Sequence, residues 1–60
     1  MNAVEVQTHA QKLFAAHGAK ALAEATQKVR DFEQKGEKQQ AQDWKQIENA
    51  LHQMRGPNAS

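Results

Sequence analysis

The fold of this chain is decided by one stretch, VRDFEQKGEKQQAQDWKQIENAL, which covers residues 29–51. Apolar side chains approach its central glycine as Val29 and Phe32. Beyond that glycine they recur at helical spacing as Ala41, Trp44, Ile47 and Leu51. Gly36 can adopt the left-handed conformation that ends a helix, and Lys35 before it complements the negative end of the helix dipole. The stretch therefore predicts two antiparallel helices joined at Gly36.

The residues before this stretch extend its first helix toward the N-terminus. Asn2 followed by Glu5 resembles a capping box, so a helix is expected to begin near residue 3. Apolar residues then keep one helical phase up to the turn. They are Ala3, Val6, Ala10, Phe14, Ala21, Ala25, Val29 and Phe32. The pattern predicts one long helix over about residues 3–35.

Gly18 leaves an alternative open within this long helix. His17 and Gly18 can be read as a helix end, with a cationic or polar residue followed by a glycine at the C′ position. Against a break, residues 19–24 contain no turn-forming residue and no good N-cap. We therefore expect a continuous or kinked helix, and a true turn at Gly18 with a monomeric three-helix bundle is the alternative.

The second helix is expected over about residues 37–54, where the apolar residues form the narrow seam typical of a bundle. The run Arg55-Gly56-Pro57 ends it with a cation, a glycine and a residue that cannot continue a helix. Residues 1–57 are predicted to form a single all-α helical-hairpin domain. Residues 58–60 are predicted to be a disordered tail.

The unequal lengths of the two predicted helices favour self-association. If the chain folds back at Gly36, the second helix covers the first only back to about Gly18. The apolar residues before Gly18 would then be exposed, and a long exposed apolar stripe usually marks an interface. We expect two hairpins to pair antiparallel into a homodimeric four-helix bundle. Its predicted interface residues are Val6, Ala10, Leu13, Phe14, Trp44 and Leu51.

Composition narrows the class of protein further. The chain has 60 residues, a net charge of +1 and no cysteine, which excludes a disulfide framework and a thiolate zinc site. Its interspersed lysines and acids indicate a solvated surface, which argues against nucleic-acid binding. No apolar run approaches the ~18 residues that span a bilayer, and the N-terminus lacks signal-peptide features. We expect a cytoplasmic protein without membrane association.

Few residues of the sequence could act in catalysis or bind a metal ion. His9 and His17 are not spaced as two metal ligands on adjacent helical turns. His17 and His52 would come near each other in the hairpin, so a metal site completed by a second subunit is an alternative. No catalytic triad order, glycine-rich phosphate loop or HExxH motif is present. We therefore expect no enzyme activity, no cofactor, and no catalytic, cofactor-binding or metal-binding residue.

Two features on the helix faces have alternative interpretations. Ala10, Ala21 and Ala25, with Gly18, are expected to allow close helix packing, and a ligand groove is the alternative. Trp44 is expected to anchor the core, and a partly exposed interface hot spot is the alternative, because tryptophan is enriched at such sites.

The run from Gly36 to Pro57 resembles the turn and second helix of a tetratricopeptide repeat. The resemblance is carried by Gly36, Ala41, Trp44, Ile47, Ala50, Leu51 and Pro57. Because a tetratricopeptide array needs several repeats and this chain has one helix pair, the resemblance implies only a shared form of hairpin packing. As a whole, with His17-Gly18, Trp44 and Met54-Arg55-Gly56-Pro57, the chain is similar to short bacterial helical proteins, which implies no mechanism.

The sequence thus predicts a small non-catalytic helical protein. It would act as a homo-oligomeric protein–protein interaction or regulatory module, with an unidentified protein as a further partner. A small nucleic-acid-associated regulator is the alternative, because the first half of the chain has an excess of positive charge. The cations that supply it are Lys12, Lys20, Lys28 and Arg30.

Overall fold

The computed structural model describes residues 1–55, which form three α-helices and contain no β-strand. The helices are α1 (Ala3–His17), α2 (Lys20–Gln34) and α3 (Lys38–Arg55). The all-α class is therefore confirmed. The predicted tail at residues 58–60 and the helix stop at Gly56 and Pro57 lie outside the described residues.

The start of α1 has the capping box that the sequence predicts. The Glu5 backbone N–H donates to the Asn2 side-chain oxygen at 2.8 Å, and the Asn2 N–H donates to the Glu5 carboxylate at 3.3 Å. Each side chain satisfies a backbone donor that has no partner within the helix. The helix consequently begins at Ala3, close to the predicted position.

Gly18 divides the long helix that was predicted over residues 3–35. Its backbone has φ 60° and ψ −133°, torsions that are open to glycine and strained for L side chains. The Gly18 N–H donates to the Phe14 carbonyl at 2.8 Å, and the Ala21 N–H donates to the Gly18 carbonyl at 3.0 Å. The continuous helix is therefore wrong at this point, and the alternative of a true turn describes the chain.

The second turn, at Gly36, lies where the sequence places it. Gly36 has φ 78°, the Glu37 N–H donates to the Phe32 carbonyl at 2.9 Å, and the Gly36 N–H donates to the Glu33 carbonyl at 3.1 Å. These two bonds form the Schellman motif that commonly ends a helix at a left-handed glycine. The antiparallel pair of α2 and α3 is thus closed by local hydrogen bonds.

The core lies where α1 returns across the α2–α3 hairpin. Most of its members are small, and among the residues whose burial is described the large side chains with no exposed surface are Ile47 and Leu51. The buried cluster consists of Val6, Ala10, Ala21, Ala25, Ile47, Ala50 and Leu51. Because α1 covers its own hairpin, the uncovered first half expected from unequal helix lengths is not present. The physical reason is the turn at Gly18, which the sequence pattern alone did not favour.

Small residues make this three-helix packing close. Ala10, Ala21 and Ala25 each have 0% of their surface exposed, so the alanine face is filled by neighbouring helices. The packing interpretation of that face is therefore the one the structure supports. Within the part of the chain that the structure describes, none of the helices combines the length and apolarity needed to cross a bilayer.

Ile47 is a large core side chain with 0% of its surface exposed. Ile47→Val removes one buried methylene and should lower the free energy of unfolding by about 1 kcal/mol. Val4, which is 74% exposed, gives the surface comparison, and at a dilution where single copies prevail Val4→Ala should change that free energy by less than about 0.5 kcal/mol. Urea unfolding followed by circular dichroism measures both. Equal losses in the two variants would contradict the assignment of the core.

Candidate functional site

The residues predicted for an interface between copies lie mostly inside one copy. Five of the six are in the core or packed against it: Val6, Ala10, Leu13, Trp44 and Leu51. The sixth, Phe14, is 38% exposed. The structure therefore brings the first five together at the contact between α1 and the hairpin, and it leaves Phe14 at the surface one helical turn before Gly18.

Trp44 lies at the edge of the core, where α1 meets α3. Its ring contacts the His9 ring edge-on, with centroids 5.3 Å apart and planes at 61°. Trp44 is partly buried, which places it between the two interpretations of a core anchor and an exposed hot spot. The sequence reasoning missed His9 as its partner, because no spacing within α1 indicates which residue of α3 lies opposite.

A polar contact holds the N-terminal end of α1 beside α3. The Met1 amino group lies 3.1 Å from Asp43 Oδ1, and Gln39 Nε2 donates to that oxygen at 3.2 Å. Asp43 precedes Trp44, so the charged contact and the aromatic contact are adjacent on α3. Together they hold the first half of α1 beside α3.

The other end of α1 is held by a contact across the Gly18 turn. His17 Nδ1 lies 2.5 Å from Glu24 Oε1, and both side chains are about half exposed. A pair of this kind at the surface contributes little to stability, usually less than about 1 kcal/mol. The pair matters for the geometry of the chain, because it links the last residue of α1 to the second turn of α2 across Gly18.

Two further polar contacts join α2 to α3. The Thr26 hydroxyl donates toward the Leu22 carbonyl at 3.1 Å and toward Glu48 Oε2 at 2.6 Å. Because a hydroxyl carries one hydrogen, it shares that hydrogen between the two acceptors. Near the Gly36 turn, Lys45 Nζ lies 3.2 Å from Glu33 Oε2. The hairpin is therefore tied at both its middle and its closed end.

Across residues 1–55, no three side chains of the metal-binding types His, Cys, Asp and Glu come together. His17 contacts Glu24, and His52 is exposed on α3. The described surface has shallow depressions, one of them on α1 beside Val4 and Lys12.

The apolar surface that a partner could cover belongs to the N-terminal part of the chain. The large hydrophobic residues exposed among the described residues are Met1, Val4 and Phe14. Val4 and Phe14 both lie on α1, ten residues and so about 15 Å apart along its axis. We call these two residues with Met1 the α1 apolar set. It is the candidate interaction surface of this protein.

Comparisons of the chain with protein-family models, with curated proteins and with solved structures found no match.

The contact between His9 and Trp44 can be tested through the single tryptophan of the chain. His9→Ala should shift the Trp44 emission to longer wavelength, because the indole gains contact with water. It should also lower the free energy of unfolding by about 0.5–1.5 kcal/mol, the usual range for an aromatic pair. His52→Ala removes an exposed histidine from α3 and is the control. The same spectral shift in both variants would show that His9 does not cover the ring.

Proposed function

We propose that this chain is a small non-catalytic helical protein that acts as a homo-oligomeric protein–protein interaction or regulatory module. The observation that carries the proposal is the α1 apolar set, because the large exposed hydrophobics of the described residues all belong to the first 14 positions. Burying these side chains against another protein would remove apolar surface from water, which favours association.

The small core gives association an energetic basis. A chain of this length buries only about 60% of the surface that its unfolded form exposes. Here most buried positions are alanine or valine, and Ile47 and Leu51 are the large side chains without exposed area. Each further Å² of apolar surface removed from water contributes about 25 cal/mol. Covering Phe14 and Val4 in a second copy would therefore add stability that the single copy does not have.

A second copy is the simplest partner for such a surface. In a two-fold dimer the same patch is used by both subunits, so one exposed phenylalanine supplies two apolar contacts. The antiparallel pairing of two-helix hairpins predicted from the sequence would need α1 to leave its place on the hairpin. Association through the α1 apolar set needs no such change, and it is the form of the homodimer that we propose.

The proposal is tested by the mass of the protein in solution. Sedimentation equilibrium should show reversible dimers of the unmodified chain at high concentration. Phe14→Asp should lower the association constant by roughly tenfold or more, because a carboxylate loses its hydration when it is pressed into an apolar contact. Gln11→Asp adds the same charge to an exposed position of α1 and should have a much smaller effect. Single copies at all concentrations, or equal losses in the two variants, would reject the proposal.

A further inference from the structure

We infer that two copies of this chain can exchange α1. In the exchanged dimer Gly18 straightens, residues 3–34 form one helix, and α1 of each copy packs on the α2–α3 hairpin of the other. The inference rests on the proposed self-association and goes beyond it, because α1 itself changes its partner. The partner is a second copy, and the surface it occupies is the one that α1 covers within a single copy.

The hinge for this exchange is a single residue. Ala19, next to Gly18, already has helical torsions, φ −62° and ψ −22°. His17 is the last residue of α1, so only the torsions of Gly18 separate two helices from one. A Cβ placed on Gly18 would meet nothing within 4 Å, so the hinge residue itself is not packed against another part of the chain. Short hinges between packed elements are the ones that favour exchange between copies.

The start of α2 also favours the straight form. No side chain caps the helix there, so its first backbone N–H groups lack the partners that a cap residue provides. In a continuous helix the N–H groups of Ala19 and Lys20 donate to carbonyl groups four residues earlier. Straightening therefore replaces an uncapped end by regular hydrogen bonds, without the cost of a new helix nucleus.

One contact opposes the exchange and holds the bent form. The bond between His17 and Glu24 spans the turn, and in a straight helix residues seven positions apart are separated by about 10.5 Å along the axis. The bond is therefore specific to the bent chain. The core contacts of Val6 and Ala10 are the same in both forms, so protein concentration decides between them.

Cross-linking can detect the exchange, because it shows whether α1 lies on the hairpin of its own chain or on that of the other copy. The natural chain has no cysteine, so pairs can be introduced without background. Gln7 and Gln53 line one depression between α1 and α3, and Gln7→Cys with Gln53→Cys joined by a short bismaleimide reports whether α1 is on its own hairpin. The matched control is Glu33→Cys with Lys45→Cys, an ion pair at 3.2 Å within the hairpin, which stays in one chain in either form.

The expected result is a fraction of covalent dimers from the Gln7–Gln53 pair that rises with protein concentration, while the control pair gives cross-linked monomers. Gly18→Ala should raise the exchanged fraction, with an association constant at least roughly a hundredfold higher, because alanine is strained at φ 60° and favoured in a helix. Glu24→Ala should raise it by a smaller factor, since it removes only the bond across the turn.

The outcomes separate this inference from the proposed function. Dimers by sedimentation with cross-links only within chains would overturn the exchange and leave self-association through the α1 apolar set intact. Single copies by both measurements would overturn both. Circular dichroism shows whether Gly18→Ala remains helical, and if it does not, the concentration series of the chain with Gly18 retained decides the question by itself.

Discussion

Two backbone torsions at Gly18 determine how this chain is built. With φ at 60° and ψ at −133° the helix that begins at Ala3 stops, and its continuation starts again two residues later in another direction. The rest of the fold depends on that change of direction. Val6 and Ala10 become core residues, and Trp44 receives His9 at its edge. With helical torsions at the same residue, α1 would extend past the hairpin and its apolar side would be uncovered.

The parts of the fold that were predicted correctly have local causes. The capping box at Asn2 and the glycine turn at Gly36 are short motifs with one geometry, and both are present in the structure. Gly18 differs, because glycine tolerates both a helix interior and a turn, and its neighbours carry no cap that distinguishes them. Tertiary packing of α1 on the hairpin favours the turn at Gly18, and it outweighed the weak local preference for a continuous helix.

The candidate site was less predictable than the helix ends, because it too depends on how α1 packs in the tertiary structure. Apolar spacing identified the residues that need cover, among them Val6, Leu51 and Phe14, but it could not say whether the cover comes from the same chain. The turn answered this for Val6 and Leu51, which are buried, and left Phe14 exposed beside the hinge. A thin alanine-rich core and an exposed aromatic next to a one-residue hinge together make self-association the function we favour.

The most direct test of the account is the pattern of amide proton contacts across residues 15–22, measured by NMR in a dilute sample. With the bend at Gly18, the contacts between the Hα of one residue and the amide proton three residues later should be missing where the two residues lie on either side of Gly18. The methyl groups of Ala10 should lie close to those of Ile47 or Leu51. Uninterrupted helical contacts from His17 through Leu22, with no contact between α1 and α3, would contradict the account.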